Sequence, residues 1–175
     1  MFPIFAQPKK TNEPKVKKSF QQKLKLLLLI SFFVYIGLVI YITLFAWNYG
    51  ASLGPVGPGG RNYNFIPFRS IYRISVYSPT IVDPLKILVG NIILFIPFGF
   101  LLPLAIKKLR KSLITTVFLA MLFSLLIESS QYLFTYRVAN VDDIILNTFG
   151  AFIGAVLIKI CFFIKEKIYY FQAKG

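Results

Sequence analysis

Histidine is absent from this 175-residue sequence, cysteine occurs once, and acidic residues number only six against 20 Lys and Arg. Without histidine, the chain has no Ser-His-Asp triad, no Cys-His pair and no Cys/His zinc site. The single Cys161 has no partner for an internal disulfide. Two or three carboxylates make a thin site for a divalent cation. The sequence therefore predicts no metal site and no cofactor.

The excess of basic residues gives a net charge of +14. In a soluble protein this charge would suggest a nucleic-acid partner. Here Lys and Arg cluster at the ends of apolar runs, and no aromatic-rich RNA- or DNA-binding signature accompanies them. Anionic lipids at the inner face of a membrane match that pattern better. We therefore expect membrane lipids as partners and no nucleic acid.

Long apolar segments make up most of the chain, which is 57% hydrophobic and 17% aromatic. Runs of about 20 apolar residues are long enough to cross a bilayer as helices. The sequence predicts an all-α polytopic membrane protein. Its four-helix domain, 26–164, lies between a basic, mostly disordered tail, 1–25, and a short tail, 165–175. The four predicted spans are about 26–48, 87–106, 113–134 and 142–164.

The direction of the spans follows from where lysine and arginine lie. The positive-inside rule places the N-terminal tail, the "KKLRK" turn at Lys107–Lys111 and the C-terminal tail in the cytoplasm. The outer loop, 49–86, and the short turn around Thr135–Val141 are then outside. In the outer loop, "NYNFIPFRSIYRISVY" could lie along the membrane surface. Helical and alternating patterns fit this stretch about equally well.

Polar residues recur at helical spacing on the last two predicted spans, which places them on one face of each helix. The third span carries Ser124, Glu128, Gln131 and Thr135, and the fourth carries Asp143, Asn147, Gly150 and Gly154. The Gly150/Gly154 pair allows close approach of another helix.

Counted along the helices at about 1.5 Å per residue, three polar residues reach similar depths below the outer boundary. Glu128 lies on the order of 10 Å inside it, and Asn91 and Asn147 lie at roughly 6 to 8 Å. A carboxylate facing lipid is costly. Glu128 is therefore expected to face protein or water, with Arg137 as its natural partner. The pattern predicts an outward-facing polar cavity beneath Arg137, Asp142 and Asp143.

Other interpretations of the same residues stay open. The charges could form a network that only joins the third helix to the fourth. Glu128 with Asp142 or Asp143 could serve as general acid and base, as catalytic candidates. Arg69 and Arg73, four residues apart, are typical of headgroup contacts, with phosphate capture as an alternative.

Four stretches resemble the VanZ-like family of bacterial membrane proteins: "NFIPFRSI", "NIILFIPFGFLLPL", "IESSQ" and "RVANVDDIILNTFGAFIG". Asn140 stands where members of that family often have an Asp. The resemblance implies a multi-pass protein of the bacterial cell membrane, linked to resistance against teicoplanin, a lipid-tailed glycopeptide, or to envelope physiology. The site residues that it implies are Asn64, Pro67, Asn91, Glu128, Gln131, Arg137, Asp142, Asp143 and Asn147.

Three hypotheses follow for function. The first is that the polar cavity, with Arg69 and Arg73, binds a lipid-tailed ligand such as a glycopeptide or a lipid-linked wall precursor. The second is an enzyme acting on a lipid-linked substrate. The third is an assembly role in which the polar and glycine faces only pack helices.

Overall fold

The computed structural model describes residues 13–46, 63–135 and 138–172. In these residues, four helices are long and apolar enough to cross a membrane. These candidate spans are Ser19–Phe45, Val82–Ala105, Leu113–Phe134 and Val141–Gln172. The predicted class, an all-α polytopic membrane protein, is confirmed.

The chain forms six α-helices and one pair of very short strands in its described part. The helices are α1 (Glu13–Ile40), α2 (Arg69–Tyr77), α3 (Val82–Pro84), α4 (Gly90–Ala105), α5 (Leu113–Phe134) and α6 (Val141–Gln172). The strands are β1 (Tyr63–Asn64) and β2 (Ala139–Asn140). Short π-helical and 3-10 turns extend or join the helices, at Tyr41–Phe45, Leu85–Val89 and Lys107–Lys111.

Two helices are longer than their apolar runs indicate. α1 begins at Glu13, inside the tail predicted to be mostly disordered, and α6 continues to Gln172, past the predicted end of the span at Ile164. Lys, Gln and Glu are good helix formers, so a helix nucleated in the membrane extends through them. The ambiguous outer segment is also helical, over Arg69–Tyr77.

The helices run alternately between two ends of the bundle. We call the end that carries Lys107–Lys111 the basic end, and the end that carries β1, β2 and α2 the polar end. α1 and α4 are antiparallel, because Tyr35 donates a hydrogen bond to Leu94 O (2.7 Å) while Phe32 packs on Phe98. Lys159 of α6 reaches Lys111 O at the basic end (3.4 Å). The start of α1 and the end of α6 therefore lie on the same side.

The closest helix contact joins α4 to α6 through glycines. A Cβ atom built on Gly99 would lie 1.8 Å from Ala151 O, one on Gly150 would lie 2.1 Å from Ile92 O, and one on Gly154 would lie 2.0 Å from Ile96 O. The two backbones touch at three successive points, as small residues permit in membrane helices.

Aromatic stacking fills the space between α4 and its neighbours. Phe98 stacks on Phe123 of α5 with ring centroids 5.5 Å apart, and Phe95, fully buried, packs against both rings. Many other large apolar side chains of the long helices point outward and are exposed. Acyl chains would cover that surface in a bilayer, which agrees with a membrane-spanning bundle.

Arg110 closes the basic end of the bundle. It donates hydrogen bonds to Pro103 O (3.1 Å) and Leu104 O (3.4 Å), carbonyls at the C-terminus of α4, and its guanidinium lies over the ring of Phe162, 5.1 Å from the centroid. Cations stabilise helix C-termini by these contacts. We expect Arg110→Ala to lower the free energy of unfolding by about 1–2 kcal/mol.

Lys108→Ala is the matched control, because it removes the same charge from an exposed position in the same turn. Thermal unfolding of both variants in detergent measures the difference. Equal melting temperatures would mean that Arg110 contributes only its charge.

Candidate functional site at the polar end

The polar end is built where two distant segments pair as short parallel strands. Tyr63 is opposite Ala139 and Asn64 is opposite Asn140. The pairing brings the segment before α2 against the start of α6. Asn64 Nδ2 donates to Asn140 Oδ1 at 2.9 Å and to Ser70 Oγ at 3.0 Å. Side chains from both segments therefore meet at one point.

Asn140 lies at the centre of this network. Its backbone N–H donates to Glu128 Oε2 (2.7 Å), and its side-chain Nδ2 donates to Asp143 Oδ1 (3.1 Å). Its Oδ1 accepts from the backbone N–H of Asp142 (3.2 Å), as an N-cap residue does at the start of a helix. The backbone and side chain of this one residue thus link α5, α6 and the segment before α2.

Asp142 holds α2 in place. Its carboxylate accepts the backbone N–H groups of Phe68, Ser70 (2.7 Å) and Ile71 (3.1 Å), the first amides of α2. An anion at a helix N-terminus satisfies amides that have no partner within the helix. Phe68 has φ 64°, a left-handed conformation that is costly for a residue other than glycine. Asp142 is only 1% exposed, so these three contacts replace the water that would otherwise bind its carboxylate.

Glu128 and Asp143 retain more acceptor capacity than Asp142. An ionised carboxylate can accept about four hydrogen bonds. Among the described residues, Glu128 accepts one, from Asn140 N, and Asp143 takes contacts from the side chains of Asn140 and Asn91. The two carboxylates, on α5 and α6, lie near enough for their charges to interact. They are the acidic groups with room for a further donor.

A second polar layer lies one helical turn deeper. Asn147 follows Asp143 by four residues on α6, and Ser124 precedes Glu128 by four residues on α5. Asn147 Nδ2 donates a hydrogen bond to Ser124 Oγ (2.9 Å). Asn147 is 3% exposed, and its Oδ1 is buried without a hydrogen-bond partner in the described part of the protein. Buried polar atoms are rarely left unpaired, so this oxygen requires an explanation.

The remaining predicted residues lie in three places. Gln131 is buried but contacts the π-helical turn that follows α1, where its Nε2 donates to Thr43 O (2.9 Å). Arg69 and Arg73 are exposed on α2. Arg137, predicted as the partner of Glu128, lies outside the described residues. The structure therefore brings Asn64, Asn91, Glu128, Asp142, Asp143 and Asn147 into one region and sets Gln131 apart from it.

Sequence reasoning noted Asn140 only as the place where the family often has an Asp, and it named neither Asn140 nor Ser70 as a site residue. The signal for Asn140 was available, because "NVDD" before an apolar run has an Asn at the N-cap and an acid three residues later, as in a capping box. Nothing local indicates Ser70, whose Oγ donates to Asn140 Oδ1 (3.3 Å) across 70 residues of sequence.

The fold and the site together define a small polytopic membrane protein with a buried carboxylate cluster at one end of its bundle. The VanZ/LLP1 family profile matches residues 32–163, which include the whole cluster, and the chain belongs to that family. Protein VanZ of Enterococcus faecium is 27% identical over 124 residues, or 71% of this chain and 68% of that protein. No solved structure matches. The chain is thus a VanZ-like membrane protein, in the resistance-associated family that the sequence resemblance indicates.

Proposed function

We propose that this protein lies in the bacterial cell membrane with both termini in the cytoplasm and binds a lipid-tailed ligand at its polar end. The ligand would be a glycopeptide of the teicoplanin type or a lipid-linked wall precursor. The positive turn Lys107–Lys111 at the opposite end supports this orientation, and family membership supports the location in a bacterial membrane. Binding would take the ligand out of reach of its target or of the machinery that uses it.

One observation carries the proposal: two carboxylates with spare acceptor capacity, Glu128 and Asp143, lie together at the polar end, where both contact Asn140. Charged groups within membrane helices are costly and are most often functional. Asp142 differs from them, because three backbone amides already occupy it. We therefore assign ligand binding to Glu128 and Asp143, and the positioning of α2 to Asp142.

The outer helix α2 offers the ligand a second surface. Arg69 and Arg73 are one turn apart and exposed, as are Tyr72 and Tyr77, so basic and aromatic groups lie on the same short helix. Such helices lie at the membrane interface. A ligand whose tail enters the outer leaflet would pass α2 before it reaches Glu128.

Catalysis on a lipid-linked substrate is the second candidate. The observation that favours it is the pairing of Glu128 with Asp143 on separate helices, since interacting carboxylates commonly divide the roles of acid and base. Mass spectrometry of lipid extracts from cells with and without the protein tests this candidate. Identical lipid profiles would count against it.

The binding proposal predicts a specific loss in Glu128→Gln. Glutamine keeps an oxygen that can accept from Asn140 N, but it removes the negative charge. In a susceptible bacterium we expect the wild-type protein to raise the inhibitory concentration of teicoplanin a few-fold, and Glu128→Gln to abolish that increase. The loss of a charged contact of about 1.5–3 kcal/mol corresponds to roughly tenfold or more in affinity.

Asp83→Asn serves as the control, because Asp83 is an exposed carboxylate whose side chain bonds only Thr80 in the described structure. A glycopeptide without a lipid tail is the control for the ligand. Full resistance in Glu128→Gln at wild-type protein levels, or equal protection against the glycopeptide without a tail, would contradict the proposal.

A further inference from the structure

We propose that the group recognised between Glu128, Asp143 and Asn147 is a primary ammonium, carried by an amphiphile whose tail lies in the membrane. This inference rests on the proposed function and names the chemistry of its ligand. It depends on three acceptors that lie in one seam between α5 and α6, each with capacity that the described residues leave unused.

Two of the three acceptors, Glu128 and Asp143, are carboxylates. Glu128 and Asp143 bring two carboxylates to one site, and among the described residues the groups that contact them are neutral amides: Asn140 N–H, Asn140 Nδ2 and the side chain of Asn91. Amide donors leave the net negative charge in place. A positively charged group would lower the electrostatic cost of burying both carboxylates.

The third acceptor is the unpaired Oδ1 of Asn147. It lies about 6 Å deeper than Asp143 along α6, by helical rise, and Ser124 lies at the matching level on α5. Because Asn147 Nδ2 donates one of its two N–H groups to Ser124 Oγ, the orientation of the amide is set, and its Oδ1 remains without a donor among the described residues. A ligand donor that passes the carboxylates, or a water molecule that such a donor holds, would satisfy this oxygen.

The number and kind of acceptors fit an ammonium better than a metal ion. An –NH3+ group has three N–H donors and no acceptor, so it can donate to both carboxylates at once, with its third N–H directed along the seam toward the level of Asn147. The described residues contain no group of three His, Cys, Asp or Glu side chains that could hold a metal ion. A quaternary ammonium has the same charge but no N–H, so it could not bond all three acceptors.

Three probes with the same tail test these points on the full-length protein in phosphatidylcholine nanodiscs. The probes are octylamine, octyltrimethylammonium and octanol, and calorimetry gives their dissociation constants. We expect octylamine to bind about tenfold more tightly than either of the others. Glu128→Gln and Asp143→Asn should each remove that preference, Asn147→Ala should reduce it, and Asp83→Asn should leave it unchanged.

Equal affinity for octylamine and octyltrimethylammonium would overturn the inference, as would binding that Glu128→Gln and Asp143→Asn leave intact. Binding of calcium chloride, dependent on the same two residues and without any amine preference, would identify a metal site instead. An amine preference that appears only in Arg137→Gln would mean that Arg137 itself fills the site in the wild-type protein, and it would overturn the inference.

The same measurements distinguish this inference from the proposed function. If Glu128→Gln abolishes resistance but the wild-type protein shows no preference for octylamine, only this inference is overturned. If the wild-type protein prefers octylamine but Glu128→Gln leaves resistance unaltered, the proposed function is overturned.

Discussion

Replacing Asp142 with alanine is expected to release α2 from the bundle and to lower the free energy of unfolding by at least about 3 kcal/mol. Three backbone amides, those of Phe68, Ser70 and Ile71, would lose their charged acceptor at once, and a hydrogen bond to a charged group contributes about 1.5–3 kcal/mol. Phe68 would then leave its left-handed conformation, since the contact with Asp142 helps to offset the cost of holding it. Thermal unfolding in detergent and protease cleavage within 63–81 measure the two effects.

Two variants calibrate this result. Asp142→Asn keeps one acceptor oxygen and should fall between alanine and the wild type. Asp83→Ala removes an exposed carboxylate from the neighbouring turn and should change the unfolding free energy by less than about 0.5 kcal/mol. If Asp142→Ala melted like the wild type and resisted protease equally, the anchoring role of Asp142 would be wrong.

The second large effect is expected at Gly150. A methyl group there would meet Ile92 O at 2.1 Å, far inside van der Waals contact, and the obstacle is backbone that cannot rotate away. α4 and α6 would have to separate by about 1 Å, and overpacking of this kind costs about 1–3 kcal/mol or more. We expect Gly150→Ala to be destabilised by about 3 kcal/mol, and Gly150→Leu not to accumulate as folded protein.

Gly37→Ala is a close control, because Gly37 also lies within a membrane helix but has nothing within 4 Å of the point that an alanine methyl group would occupy. Alanine exceeds glycine in helix propensity by about 1 kcal/mol, so this variant should be neutral or slightly stabilised. The same substitution is thus expected to have opposite signs at the two positions. Unfolding titrations of Gly150→Ala and Gly37→Ala in mixed micelles measure the two changes in unfolding free energy. Destabilisation of equal size in both variants would refute the close contact between Gly150 and Ile92.

Much of the fold follows from the sequence, because apolar run length determines membrane helices directly. The predicted third span, 113–134, coincides with α5, and the other three fall within or near the observed helices. Helix ends outside the apolar runs were not predictable in this way. Lys and Gln residues continue α1 and α6 beyond the apolar segments, since they favour helix regardless of the membrane.

The site was predictable in part, for a different physical reason. Helical spacing fixes which residues of one helix share a face, so Ser124 and Glu128 could be grouped without a structure. Spacing does not reveal which neighbour a side chain meets. Gln131 belongs to the same pattern yet donates to Thr43 O in the π-helical turn that follows α1, and Asp142 accepts the amides of a segment about 70 residues earlier. The partners of Asp142 lie beside the paired strands β1 and β2, and strands of two residues leave no recognisable pattern in the sequence.

The anchoring of α2 by Asp142 also has a consequence for biosynthesis. α2 leaves the ribosome long before Asp142 does, because 72 residues separate Ser70 from the carboxylate that accepts its amide. Helix α2 therefore cannot dock until the last transmembrane helix has begun to insert. The polar end of the protein is completed last, and a nascent chain halted before Asp142 would present α2 undocked to the translocon.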